Sequence, residues 1–174
     1  MSSIVLKKLS KDPRVKAFKQ RLENGDFSVD TSSFIAELDR MHATRKVRLL
    51  KTKDVIHNAQ TKIVSALVQN QAYRSRCVEI KMICFRTQQN LEQHYGSLFD
   101  YLKVQYKSDL GVYRTVSERD SAISTLLGDS TYITNQLDVV VQICDLIIAD
   151  IDQATWSLKN MTDVLKIAVT PETI

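Results

Sequence analysis

The sequence predicts an all-α fold: a long helical hairpin with coiled-coil-like packing, a short N-terminal helical arm, and a surface that forms oligomers. Three observations predict it. Only four glycines and two prolines occur in 174 residues, and the stretch from Asp26 to Tyr95 has neither, which is too long for strands and their turns. Taking Leu49 as position a, Leu49, Ile56, Ile63, Asn70, Cys77, Cys84, Leu91 and Leu98 recur at seven-residue intervals, the period of a coiled-coil seam. Near the C-terminus, alternate steps of three and four give Leu137, Val140, Cys144, Ile147, Ile151, Ala154, Leu158, Met161, Leu165 and Ala168 without one polar residue.

The arm and its linker occupy residues 1–30. Asp12 can cap a helix over residues 13–24, Pro13 sits at its first position, and Gly25 follows as a stop. Its apolar side carries Val15, Phe18 and Leu22, and its basic side carries Arg14, Lys16, Lys19 and Arg21. The hairpin core is expected over 31–174, as a long helix 31–95, a connector 96–129 and a C-terminal helix 130–169. Thr31, Ser32 or Ser33 can cap the long helix, with Glu37 in its early turns. Its d positions are Thr52, Ala59, Ala66, Tyr73, Ile80 and Thr87, and Asn70 in the a column either fixes register or faces water. The connector holds Gly96, Gly111 and Gly128, with Ser117 as cap of a short helix from Glu118 to Leu127.

Burying the C-terminal column contributes roughly 1.5–3 kcal/mol per large side chain, far more than any surface charge pair. Val141, Leu146 and Ile148 widen the stripe beyond what one partner helix covers. A homo-oligomer is therefore expected, with Leu137, Val140, Cys144, Ile147, Ile151, Leu158, Met161 and Leu165 driving assembly.

Cys77, Cys84 and Cys144 are an odd number and lie on apolar stripes, which argues against a disulfide framework and for a reducing, cytoplasmic compartment. No run reaches eighteen apolar residues, and the N-terminus lacks a signal peptide's apolar centre, so neither secretion nor a membrane partner is expected.

No catalytic constellation is visible. His42, His57 and His94 are far apart, and no glycine-rich phosphate loop, GxSxG, CxxC or HExxH occurs. An enzyme is not expected, nor any cofactor or metal. Basic surface remains. Residues 1–86 hold 18 Lys and Arg against 8 Asp and Glu, whereas residues 87–174 hold 6 against 12. Either the basic half docks on the acidic half, or it meets a polyanion. Candidate phosphate contacts are Arg74, Arg76, Lys81 and Arg86, supported by Lys46, Arg48, Lys51 and Lys53. Five of the twelve aromatic residues fall between 95 and 113; they are either a stacking platform, with Tyr95 and Tyr101 the candidate groups, or a small satellite core.

Ser117-Glu118, the Asp129 region and the stretch from Val139 to Asp163, with Cys144, Trp156, Leu158 and Lys159, form a pattern, joined upstream by His94-Tyr95-Gly96-Ser97. The pattern resembles the UvsY-type recombination mediators of T-even-like bacteriophages over about half the chain. The turn before Tyr95 departs from it, reading Gln88-Gln89-Asn90-Leu91-Glu92-Gln93 where the family carries Lys and Arg. The arm has no counterpart there. The resemblance implies a homo-oligomer, such as a ring, in the cytoplasm of a phage-infected bacterium. It would bind single-stranded DNA, displace single-strand-binding protein and help load a RecA-like recombinase. The alternative is a helical structural or scaffolding subunit, for example of a virion, that binds only protein.

Overall fold

The computed structural model describes residues 2–45, 59–128 and 130–169, with side chains over 4–45, 61–128 and 130–163. Among them there is no strand. The helices are α1 (Ser2–Leu9), α2 (Pro13–Glu23), α3 (Thr31–Ala43), α4 (Ala59–Gln105), α5 (Val116–Leu127) and α6 (Ser130–Val169), with a 3-10 turn at Asp109–Val112. The all-α expectation holds. Contacts divide the chain into two compact units, Met1–Asp30 with Ile83–Asp138, and Thr31–Met82 with Val139–Ile174. The break after Asp30 coincides with the end of the expected arm and linker, while residues 83–138 group with that arm and not with the rest of 31–174.

The first unit is built around one apolar cluster. Val5 and Leu9 of α1, Val15 and Phe18 of α2, Leu91, Leu98 and Leu102 of α4, and Ile123, Leu126 and Leu127 of α5 are all buried in it. The Asp12 carboxylate accepts from the Arg14 amide at 2.8 Å, which caps α2 as expected. Gly25 ends that helix with φ +79°, a left-handed conformation that disfavours side chains, and a Cβ there would meet Ser28 Oγ at 3.0 Å. The sequence expectation lacks helix α1: its eight residues make only about two turns, too short for a repeat to be sustained.

Two boundaries need correction. The helix expected over 31–95 is not one helix, since α3 stops at Ala43. There the Thr44 hydroxyl donates to the Arg40 carbonyl at 2.8 Å, and Gln69 of α4 donates to the Thr44 carbonyl at 3.4 Å, so side chains satisfy the free end. The helix α4 then passes through Gly96 to Gln105; a lone glycine costs a helix only about 1 kcal/mol, too little to end it against the burial of Leu98 and Leu102. The short connector helix is capped by Thr115, not Ser117. Thr115 and Glu118 form a reciprocal capping box, and Gly128 ends the helix at φ +74°.

In the second unit α4 and α6 face each other through the expected seam. The a-column residues Ile63, Asn70 and Cys77 are 3%, 1% and 0% exposed. Asn70 therefore lies inside the seam, where its amide donates to Thr155 Oγ1 at 3.2 Å. Cys77 and Cys144 are hydrogen-bonded, and this contact lowers the Cys77 thiol pKa despite burial. None of the three cysteines forms a disulfide, and all three are buried. Leu49, Thr52 and Ile56 fall outside the described residues.

The column assigned to assembly needs a further correction. Leu137 lies in the first unit, Val140, Cys144, Ile147, Ile151 and Leu158 in the second, and all six are buried within this single chain. Met161 is 47% exposed, and the side chains of Leu165 and Ala168 lie outside the described residues. The column is core; the free apolar surface of α6 is offset from it, at Val139, Leu146 and Trp156.

Candidate nucleic-acid interface

The proposed phosphate contacts on α4 are, for the most part, engaged with acids of their own unit. Arg74 Nε donates to Asp152 Oδ1 at 2.9 Å, and this bond raises the guanidinium pKa further. Lys81 pairs with Asp145. Arg76 forks onto Glu37 of α3, with Nε to Oε1 at 2.7 Å and Nη2 to Oε2 at 3.0 Å, and its Nη1 donates to Glu79 at 3.0 Å. The Arg76 hydrogen bond also holds the Glu37 carboxyl below its ordinary pKa, against the opposing effect of burial. Arg45, only 1% exposed at its side chain, pairs with Asp150 and donates Nη2 to the Asp150 carbonyl at 3.3 Å. The basic half thus docks on the acidic half here. Arg86 is exposed and has no acidic partner among the described residues. Lys46, Arg48, Lys51 and Lys53 lie outside the described residues.

The aromatic candidates are likewise occupied. Tyr95, Phe99, Tyr101, Tyr106 and Tyr113 pack against the core of the first unit, which is the satellite-core alternative, not a stacking platform. Tyr95 meets Phe18 edge-on at 6.4 Å and stacks with Phe99 at 6.1 Å. The Tyr101 ring is covered by the Arg14 guanidinium at 4.0 Å. Its hydroxyl donates to Asp12 at 3.2 Å, beside that of Tyr106 at 2.8 Å. Burial alone would raise the Asp12 carboxyl; the bonds from Tyr106, the Arg14 amide and Tyr101 outweigh it and lower its pKa. Donation to Asp12 pushes Tyr106 up to about 12.

Among the described residues, unengaged positive charge concentrates on the N-terminal arm. Lys7, Lys11, Arg14, Lys16 and Lys19 have no acidic partner among the described residues, while Lys8 pairs with Asp109 and Arg21 with Asp26. The only acid in α2 is Glu23. A groove lies on each side of this helix. One, of about 340 Å³, is bordered by Lys7, Lys19, Ser10 and Thr125 over Leu6 and Leu126. The other, of about 260 Å³, is bordered by Arg14, Arg21, His94 and Ser97 over Ala17, Phe18 and Leu98. Sequence reasoning saw the basic face of the arm but left it out of the site; the usable signal was four cations and a single acid within one helix.

Among the described residues no group of three or more His, Cys, Asp or Glu is placed to hold a metal ion, and no helix is long and apolar enough to cross a membrane. No family model, curated protein or solved structure matches the chain.

Proposed function

We propose that this chain is a non-catalytic, self-associating protein that binds single-stranded DNA, as the mediators resembled by its C-terminal third do. In that role it helps a RecA-like recombinase replace single-strand-binding protein. The observation supporting DNA binding is the cationic ridge of the arm: Lys7, Lys11, Arg14, Lys16 and Lys19 without acidic partners among the described residues, with a groove on each flank of α2. A phosphate backbone releases counterions when it meets such a row, so affinity falls with salt by a log–log slope of roughly −0.7 per contact on a single strand. The paired cations of α4 contribute little, because each phosphate there has to displace a carboxylate already in place.

Titration of a labelled oligonucleotide at several salt concentrations tests the reading. Binding with a slope of roughly −3.5 is expected for about five contacts, and exchanging Lys7, Lys11, Lys16 and Lys19 for Gln removes most of it while leaving the folded mass unchanged. Absence of salt-sensitive binding by the wild-type chain rejects the reading.

The protein-only scaffold has an observation in its favour too. Arg45, Arg74, Arg76 and Lys81 serve internal pairs, and α4 and α6 expose Val64, Val68, Val78, Met82, Leu146 and Trp156. Under it, the four-lysine exchange changes nothing in an oligonucleotide titration, since there is no binding to lose.

A further inference from the structure

We propose that the groove between α2 and α4 holds one phosphodiester group of the bound strand, gripped by the Arg14 and Arg21 guanidiniums, with its sugar resting on Ala17, Phe18 and Leu98. This rests on the reading of the chain as a single-strand binder and says where on its surface the backbone is gripped.

The two arginines are seven residues apart on one face of α2, roughly 10 Å at 1.5 Å per residue, with Ala17 and Phe18 between them. His94, Ser97 and Leu98, at the matching helical spacing on α4, make the opposite wall. Both guanidiniums lie on aromatic rings, Arg14 over Tyr101 at 4.0 Å and Arg21 over Phe27 at 4.5 Å. A planar cation stacked in this way has little freedom left to lose, and its edge still carries N–H donors that fit two phosphate oxygens at once. Arg14 has no acidic partner among the described residues. Arg21 donates Nε to Asp26 at 3.1 Å and Nη1 to His94 Nε2 at 3.2 Å, so its Nη2 remains for a ligand. One carboxylate thus stands beside two guanidiniums, and the rim stays cationic. The Ser97 hydroxyl, exposed on the other wall, supplies another donor.

Size favours a backbone unit over a free cofactor. At about 260 Å³ the groove is smaller than pockets for drug-sized ligands, which run from roughly 300 to 1,000 Å³. The floor is apolar, lined by exposed Ala17 and by the edges of Phe18 and Leu98, and this suits a sugar face between charged neighbours.

Grip by a fixed fork differs from attraction by charge, and the test separates them in the full chain with a labelled oligonucleotide. The double variant R14K/R21K keeps every charge but loses the planar forks, and it is expected to bind about tenfold more weakly with an unchanged salt slope. Ser97→Trp fills the groove without altering charge or the buried core, and the same loss is expected. K16Q/K19Q instead flattens the slope. Circular dichroism and thermal unfolding identify which variants are folded. Folded R14K/R21K or folded S97W binding like wild type overturns the groove assignment and leaves single-strand binding intact, whereas a wild-type chain that binds no strand removes both. Inorganic phosphate or a nucleoside monophosphate displacing the strand at equal concentration would overturn the assignment in favour of a free-phosphate site.

Discussion

Asp12 caps α2 through the Arg14 amide and receives the Tyr101 and Tyr106 hydroxyls at 3.2 and 2.8 Å, so a single buried carboxylate fastens the arm to the first unit's core. Truncating it removes the cap and strands two hydroxyls, at a cost of about 2 kcal/mol. Asp12→Ala should lower the urea midpoint accordingly, and protease should then cut the arm first. The same bonds give a pH dependence with a definite sign. Asp12 and Glu37 have folded pKa values below their ordinary values of 3.8 and 4.5. Their contribution is present above those ordinary values and is lost as pH falls through the depressed ones. Denaturation profiles from about pH 7 to about pH 3 should therefore show wild type weakening in the acid limb, with Asp12→Ala weakening less steeply. Among these contacts only the cap was legible in the sequence, because Asp12-Pro13 is a local signal; the two tyrosines lie about ninety residues away, and no pattern in one chain announces such a pairing.

At the level of helices, period decided what was legible. The a column of α4 and the stripe of α6 predicted which residues are buried, from Ile63 to Leu98 and, apart from half-buried Ala154, from Leu137 to Leu158, because a repeat sustained over several turns leaves only one face for the core. The boundaries were harder to read. Gly96 looked like a stop, but α4 continues through it, and a Cβ built there meets nothing within 4 Å. Gly96→Ala should then raise stability by about 0.5–1 kcal/mol, mostly by restricting the unfolded chain, seen as a higher thermal midpoint with unchanged helicity. A fall would mean that the chain needs glycine at that position. In the second unit Ile80 is fully buried, and Ile80→Ala should cost about 2–5 kcal/mol as its cavity fails to close. The missed stop at Ala43 has a different origin: its carbonyl end is satisfied by Gln69, with Tyr73 beside it, both distant in sequence.

Across the whole molecule, the charge asymmetry of the sequence permitted two outcomes, and the second unit realises one of them. Arg74 with Asp152 and Lys81 with Asp145 are seven residues apart on both helices and run in opposite directions, so antiparallel α4 and α6 match one heptad edge charge for charge. The sequence could not decide this, since composition does not say which face of α4 each cation occupies relative to α6. Among the described residues, satisfying those charges internally leaves the cationic arm and the apolar residues outside the seam as prominent free surfaces. The apolar part bears on self-association. The column from Leu137 to Leu158 is used within the chain, so among the described residues of α6 the apolar positions left for a contact between copies include Leu146 and Trp156, 73% and 67% exposed. Because neither supports the core, Leu146→Glu with Trp156→Glu should leave the helical signal and thermal midpoint close to wild type. Light scattering should then show the assembly falling to a single-chain mass, since a charge at the centre of an apolar contact cannot be left dry. Ile147→Glu, one position away and 6% exposed, should instead unfold the second unit. If the double variant keeps the wild-type mass, copies of this chain meet elsewhere; if wild type is already monomeric at micromolar concentration, self-association is not part of its function.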